Sequence, residues 1–542
     1  RAPLHMDSKK TATFVKREWH DNVVPSLCDF IRVPNVSPSF DAEWATNGLQ
    51  EQAFALVTKW AEAQNLAGCK IELLKDTGRT PLLFLEVEAN ESDRVCMLYA
   101  HIDKQPPMGV EKWSPSGPFE PAIREGKLYG RGAVDDGYGF YSAITSIKAI
   151  QAQGLPCPRI VMLFEGCEES GSRDLPYYMD KLAARVGTPD LICCLDSGCD
   201  NYNRIWLTTS LRGNIAFTLS AQTMVDGMHS GVASGIAPSS FRIMRQLLSR
   251  LEDETTGKVV PHEFYRDIPE SRVQQASAAA AIVGGTVLQA FPFVEGAHPV
   301  AKDAEVAEHL LNRTWRPALS VIGADGLPPT AVAGNVMLPQ TKLKLSLRLP
   351  PTLDATKAAQ RLESILTRDP PQGARVVYEG VSTGNGFHAP IEAEWLDAAV
   401  HTASLTYFDQ PAAHRGEGGS IPFMSMLLGK FPNAQFLVTG AAGPGSNMHA
   451  PNEFLHIDYS SRLTMCVAQI VAALATQKAG DVGRAGALAE AAAASAGEGP
   501  KRSFPEAFQQ SGGKPFQFVG CDCGTVGCVI FDQGKEMVCP PV

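Results

Sequence analysis

Five short motifs carry the side chains that could do chemistry in this chain. They are His101-Ile-Asp103, the adjacent pair Asp135-Asp136, Glu165 followed by Glu168-Glu169, Asp196, and, far downstream, His449. Imidazole and carboxylate without thiolate is a donor set suited to zinc, manganese or cobalt in an open, catalytic role. Two such ions about 3.5–4 Å apart can clamp a water and a substrate carbonyl together. One carboxylate must then bridge them, and an aspartate of the Asp-Asp loop is the natural candidate. Of two adjacent glutamates, one can ligate while the other takes a proton from the attacking water. An aspartate two residues after a ligating histidine can accept the second ring proton and fix the tautomer. Each motif alone is ordinarily a satisfied loop pair or a solvated turn. Their joint appearance in order, each at the end of an apolar run, points to one hydrolytic metal centre.

Those apolar runs are the elements that must position the donors. Val95–Ala100 stops at His101, Ile160–Phe164 at Glu165, and Leu191–Leu195 at Asp196. Continuous apolar runs bounded by turn signals read as strands buried on both faces of a parallel sheet, and ligands bind beyond the carboxyl ends of such strands. Residues 8–32 read as an amphipathic helix ending at Val33-Pro34. Gly137 to Gly154 reads as a helix with Ile144, Ile147 and Ile150 along one side. After Arg212 the pattern changes. Asn214–Ser220 and Lys342–Arg348 alternate with period two and Phe241–Leu251 reads as a helix, as in an antiparallel sheet with helices on one face. From about 385 the helix and strand alternation resumes, with Ala434–Val438 as a further strand.

The expected fold is therefore α/β: a split domain with a mostly parallel sheet flanked by helices (8–212 and 384–478), and an inserted α+β domain (213–383). An Ala/Gly-rich linker (479–503) and a tail (504–542) carrying Cys521, Cys523, Cys528 and Cys539 follow. The tail cysteines lack the paired CxxC spacing of a zinc knuckle.

The 542 residues carry a net charge of −10 with no Lys/Arg cluster, which argues against a nucleic-acid or anionic-membrane partner. No apolar run reaches the eighteen residues of a membrane span, and the N-terminus lacks the apolar stretch of a secretory signal. Met6 reads as the natural start, with Arg1–His5 a remnant ahead of it. Of the 13 cysteines, several (Cys96, Cys193, Cys194) sit inside apolar strands as small hydrophobes, so a reducing cytoplasm is expected.

Ala100-His-Ile-Asp103, Gly130-Arg-Gly-Ala-Val-Asp-Asp136, Glu165-Gly-Cys-Glu-Glu-Ser-Gly171, Met228-His-Ser-Gly231 and Glu417-Gly-Gly-Ser-Ile-Pro422 together resemble the M20 family of dinuclear zinc exopeptidases. Within it they resemble the nonspecific dipeptidase and carnosinase branch. The resemblance implies two Zn²⁺ ions, with Mn²⁺ or Co²⁺ able to use the same ligands. His101 and Asp196 would hold one ion, Glu169 and His449 the other, and Asp135 would bridge them through a cis peptide to Asp136. Asp103 would orient His101, and Glu168 would be the general base. His229, from an inserted lid that also makes a homodimer, would polarise the scissile carbonyl in the partner subunit. Arg348, Ser420 and the backbone of Gly418 and Gly419 would hold a substrate carboxylate, and Glu417 a free amine. Recognition of both ends would restrict the substrate to dipeptides and very short peptides. An N-acyl-amino-acid amidohydrolase or a carboxypeptidase on the same scaffold would keep the metals with less use for Glu417. A catalytically dead binding subunit would be expected to have lost Glu168 or a ligand. One position departs from the pattern: the family usually has Lys after the Asp-Asp pair, where this chain has Gly137-Tyr138.

Overall fold

The structure is a computed structural model that describes residues 6–114 and 116–478, together with two short strands near the C-terminus. Asp7 caps the first helix by accepting the N–H groups of Lys9 and Lys10, and the helical path then runs from Ser8 to Ile31. All three apolar runs form strands of one six-stranded sheet. Its order is Cys69–Leu74, Leu82–Val87, Arg159–Glu165, Val95–His101, Leu191–Cys194, Gln435–Val438. The four strands from Arg159–Glu165 to Gln435–Val438 are parallel, and the first two add on antiparallel. Parallel register sets His101 beside Glu165, so both motifs emerge at the same edge of the sheet.

Helix Tyr138–Gln151 departs from the one-sided burial expected of it. Nearly every residue from Tyr138 to Ile150 is buried, because the helix lies between strand Val95–His101 and the helices Ser8–Glu18 and Ile457–Ala475. Its apolar and small polar residues therefore find protein on every side.

A second, four-stranded sheet is antiparallel throughout, in the order Ala318–Asp325, Gln340–Leu349, Gly213–Gln222, Arg375–Gly384. Its core face (Ile215, Phe217, Leu219, Leu343, Leu345, Leu347) packs on helices Ser240–Leu248 and Ala355–Thr367. Every strand of this sheet lies in sequence between the fifth and sixth strands of the first, so the fold is mixed α/β with an insertion. Helices Glu270–Val283 and Val306–Thr314 lie inside the same stretch of sequence, yet Ala279, Val283 and Leu310 join the core of the first sheet.

A small third sheet connects the two. Trp206–Leu211 pairs with Ala413–Glu417, Glu417 opposite Leu211, and the chain runs on through Arg212 into Gly213–Gln222, where Asn214 faces Arg348. Arg348 and Glu417 are thus neighbours of one continuous stretch, which brings a residue of the insertion to the edge of the first sheet.

Near the C-terminus Val529–Asp532 pairs antiparallel with Lys535–Val538. The expected linker and Cys521, Cys523, Cys528 and Cys539 lie outside the described residues. Among the described residues no helix is long and apolar enough to cross a membrane.

Candidate metal centre and substrate cavity

His101 ends its strand fully buried, with each ring nitrogen engaged. Nδ1 lies 3.1 Å from the Asp103 carbonyl oxygen, and Nε2 lies 3.1 Å from Asp135 Oδ1 and 3.8 Å from Asp196 Oδ1. The other oxygen of Asp135 lies 2.8 Å from His449 Nε2, which is in turn 3.3 Å from Glu169 Oε2. One carboxylate thus faces two imidazoles, an oxygen to each. Ligand atoms around a tetrahedral ion with bonds of about 2.0–2.2 Å are separated by about 3.4 Å, the range of these distances. The Asp135–Asp136 peptide is cis.

Asp103 carries a second task besides the expected one, its carboxylate Oδ1 lying 3.4 Å from His101 Nδ1. Its backbone carbonyl meets the same ring nitrogen, and its carboxylate also accepts the backbone N–H groups of Glu168 and Glu169, each at 3.0 Å. It therefore fixes the turn that carries the two glutamates. Gln105 Nε2 donates to Glu169 Oε2 at 2.6 Å, and Glu169 Oε1 is buried without a partner among the described residues.

The charge balance bears on what the centre can hold. Asp103, Asp135, Asp136, Glu168, Glu169 and Asp196 crowd around two imidazoles. Burial, and then the charge of neighbouring carboxylates, pushes Glu168 well above the usual carboxylate range, and burial does the same to Asp136 and Asp196. Against burial, hydrogen bonds from His101 and His449 hold Asp135 below that range. Both oxygens of Asp136 are buried without a hydrogen-bond partner among the described residues. Such an excess of desolvated carboxylates is stable only with protons or cations among them. Two donor clusters meet metal-ligand spacing, His101–Asp135–Glu169 and His101–Glu168–Asp196. The residues present therefore fit divalent cations, and Glu168 lies within ligand distance as well as base distance.

Several residues that hold this centre were not singled out in the sequence. Glu453 is fully buried, and its Oε1 accepts the N–H groups of Val134 (3.1 Å) and Asp135 (3.3 Å). Its Oε2 takes Arg131 Nη1 at 2.5 Å, and Arg131 Nη2 reaches the carbonyl of Ala450, next to His449. The segments bearing Asp135 and His449 are thus tied together behind the ligands. The one available signal was Pro451-Asn-Glu453 following His449 so closely. Tyr138, at the departure from the family pattern, is fully buried. Its hydroxyl donates to Leu195 O and accepts from Ala441 N (3.0 Å), tethering the Asp135 loop to the loop of Asp196. A side chain at Gly137 would collide with Phe30 and the Gly132 carbonyl. The buried ammonium nearby belongs to Lys104, which donates to Phe30 O, Val33 O and Asn35 Oδ1 at 2.6–2.8 Å.

A cavity of about 430 Å³ opens from these donors and is bounded at its other end by Arg348, Glu417, Gly419 and Ser420. Arg348 Nη1 donates to Ser420 Oγ at 3.1 Å, and the Ser420 hydroxyl donates to Arg212 O at 2.6 Å. Glu417 is already engaged: Oε2 lies 2.6 Å from Arg415 Nη1, and Oε1 accepts Gly418 N at 2.7 Å. Against burial, Arg415 and then Arg313 hold its carboxyl down at about 2. The Gly418 N–H is thus turned to Glu417. Among the sequence candidates the structure brings together His101, Asp103, Asp135, Glu168, Glu169, Asp196, His449, Arg348, Glu417, Gly419 and Ser420. His229 stands apart: it is exposed in the short strand Met228–His229, its Nδ1 accepts Gly231 N at 3.1 Å, and it does not line this cavity.

A buried cluster of carboxylates and imidazoles at the carboxyl edge of a parallel sheet is the signature of a metal-dependent hydrolytic centre. Residues 97–473 match peptidase family M20/M25/M40, and the chain belongs to that family. It is 27% identical over 366 residues to the cysteinylglycine-S-conjugate dipeptidase of Corynebacterium striatum, covering 66% of this chain and 76% of that one. It is 26% identical over 407 residues to a Cys-Gly metallodipeptidase of Saccharomyces cerevisiae, covering 70% and 78%. Human carnosine dipeptidase 1 shares the fold with a TM-score of 0.69 at 19% identity, over 88% of this chain and 100% of that one.

Proposed function

We propose that the chain is a dipeptidase that uses two divalent cations, zinc in the first instance with manganese or cobalt as substitutes. The observation that carries this reading is a single cavity with a double imidazole–carboxylate centre at one end and Arg348–Ser420 at the other. His101, Asp135 and Asp196 would hold one ion, and Asp135, Glu169 and His449 the second. When bound, the ions supply Lewis acidity and lower the pKa of water. Glu168 takes a proton from the attacking water at its carboxylate and returns it to the leaving amine. Asp103 keeps Glu168 in reach through the two N–H groups it holds. Arg348 and Ser420 take the substrate α-carboxylate, a pairing that charge assistance strengthens. An ionised carboxylate has about four lone-pair sites, so Glu417 can accept a substrate ammonium beside Arg415 and Gly418. That use of Glu417 favours dipeptides over N-acyl amino acids.

We further propose that His229 serves the site of a second copy, with 213–383 as the lid and dimerisation domain between the catalytic parts 8–212 and 384–478. In support, the edge strand Ala318–Asp325 leaves Val321 and Ile322 exposed, and Val232, Ile236 and Val336 are exposed around His229. Apolar residues along an open strand edge invite pairing with another chain. A cytoplasmic location fits the nine free cysteines among the described residues. The test is a dipeptide panel with N-acetylated and C-amidated controls on metal-free protein refilled with Zn²⁺ or Mn²⁺. Unblocked dipeptides should be cleaved and both blocked sets sharply disfavoured. Rapid cleavage of N-acetyl amino acids would make the chain an amidohydrolase instead.

A further inference from the structure

Glu417 does not meet the cavity as a free carboxylate. The charges of Arg415 and Arg313 act on it, and its own charge acts on Arg212 and Arg348. Arg415 is in direct contact, Nη1 lying 2.6 Å from Glu417 Oε2, while Gly418 N and Gly419 N donate to Oε1 at 2.7 and 3.4 Å. The carboxylate is well held, but much of its charge is answered before a substrate ammonium arrives.

Asp200 alters that balance. Its Oδ1 accepts Arg415 Nε at 3.0 Å and lies 3.7 Å from Arg313 Nη2. Among the described residues, Asp200 and Glu417 are the only carboxylates in ion pairs with any of these four arginines. Arg415 is only 7% exposed, and its guanidinium packs against Gly198, where a Cβ would stand 2.9 Å from Nη1. Against burial, Asp200 and then Glu417 hold Arg415 above the usual guanidinium range. Asp200 itself is not in the cavity wall, whereas Ser197, Gly198 and Glu417 are. It belongs to the same loop as Asp196, which Cys199 N fastens by donating to Ala442 O at 3.0 Å. Two carboxylates thus share one desolvated cation, and only one of them faces the substrate. The more of the Arg415 charge Asp200 offsets, the more of the Glu417 charge is left for a ligand, since buried charges are felt strongly at short range.

We propose that Asp200 is a positioning residue for the substrate amine: acting through Arg415, it fixes Glu417 and offsets the guanidinium, leaving Glu417 able to draw an ammonium group. This rests on the dipeptidase reading above, in which Glu417 receives the amine.

The experiment compares a dipeptide with its des-amino isostere, Ala-Leu against propionyl-leucine, on metal-loaded wild type and variants, with metal content measured for each. Wild type should favour Ala-Leu in kcat/KM by about tenfold or more. In Asp200→Asn that preference should fall by about tenfold, through a higher KM for Ala-Leu. Glu417→Gln should also lose the preference, and adding Asp200→Asn to it should change the ratio no further, because the two residues act along one path. A purely structural role would slow both substrates alike, so an unchanged ratio in a folded, metal-loaded Asp200→Asn protein would overturn the proposal. Asp200→Ser repeats the comparison if the asparagine variant does not fold, and failure of both to fold would make Asp200 a folding residue, against the proposal. No preference in wild type would take the amine away from Glu417 and the proposal with it. Cleavage of no dipeptide would defeat the dipeptidase reading instead, and calorimetric binding of Ala-Leu against propionyl-leucine to the same proteins would still decide the role of Asp200.

Discussion

Replacing Glu453 with glutamine tests whether the tie behind the ligands governs metal retention. The carboxylate has one oxygen on two backbone N–H groups and the other on Arg131, all buried. Glutamine retains one oxygen. If that oxygen keeps Val134 and Asp135, the amide nitrogen faces Arg131, donor against donor. If it turns to Arg131, the Asp135 backbone loses its acceptor. Arg131, only 1% exposed, keeps the Ala450 carbonyl but no carboxylate. Breaking one side of a buried ion pair costs about 3–5 kcal/mol, which should appear as a lowered unfolding midpoint of the metal-free protein. Loss of an outer partner of a ligating group typically weakens metal binding by about 10–100-fold. Metal-free Glu453→Gln titrated with Zn²⁺ against a competing chromophoric chelator should therefore saturate one to two decades later than wild type. The double variant Glu453→Gln/Arg131→Gln removes the orphaned charge and should recover stability without recovering affinity. Wild-type affinity in Glu453→Gln, whether or not stability falls, would refute the argument and reduce Glu453 to a folding residue.

Glu168→Gln should retain both metal equivalents by elemental analysis and lose about 10²–10⁴ in kcat, since only proton transfer is removed; His449→Ala should lower metal content instead. His229→Ala should lose about 10²–10³ in kcat while dimeric and metallated, and mixing it with Glu168→Gln under subunit exchange should restore activity. A mixture that stays inactive despite proven exchange would remove His229 from the partner's site. Glu165, fully buried and accepting hydrogen bonds from Tyr99 and Ser172, has its carboxyl pushed by burial up to about 7. The fold therefore keeps a proton that the unfolded chain releases near 4.5, so this group's contribution to stability is present at low pH and declines as pH rises through about 7. Urea unfolding of metal-free protein at pH 5 and pH 8 should show that decline, on the order of 3 kcal/mol, shrinking in Glu165→Gln; an unchanged slope would count against it.

The donors at strand ends were legible because an apolar run and its polar terminus are contiguous in sequence. His101, Glu165 and Asp196 needed only the strand pattern to be placed at one edge. The pieces that went unread all act across long separations. Glu453 reaches Asp135 from more than three hundred positions away, and Tyr138 joins loops that periodicity cannot pair. The helix Tyr138–Gln151 was legible as a helix but not as a buried one, since what covers its far side is the distant helix Ile457–Ala475. Arg415-Gly-Glu417 held a readable hint, a cation two residues before the expected amine-binding glutamate. Two residues apart on one strand, Arg415 and Glu417 share a face, and that this segment is a strand depends on its pairing with the distant Trp206–Leu211.

The carboxylate that faces both imidazoles has consequences for the order in which the protein is made. His101, Asp135, Glu169 and Asp196 leave the ribosome together, whereas His449, Glu453 and the last strand of the first sheet follow roughly 250 residues later. At translation rates of about 5–20 residues per second, the half-built centre waits on the order of ten to fifty seconds. Both donor groups that meet metal-ligand spacing, His101–Asp135–Glu169 and His101–Glu168–Asp196, are made entirely of residues synthesised before that interval. If two ions are held as proposed, the His101 position would have its ligands during synthesis and the His449 position only once the chain's last third is made.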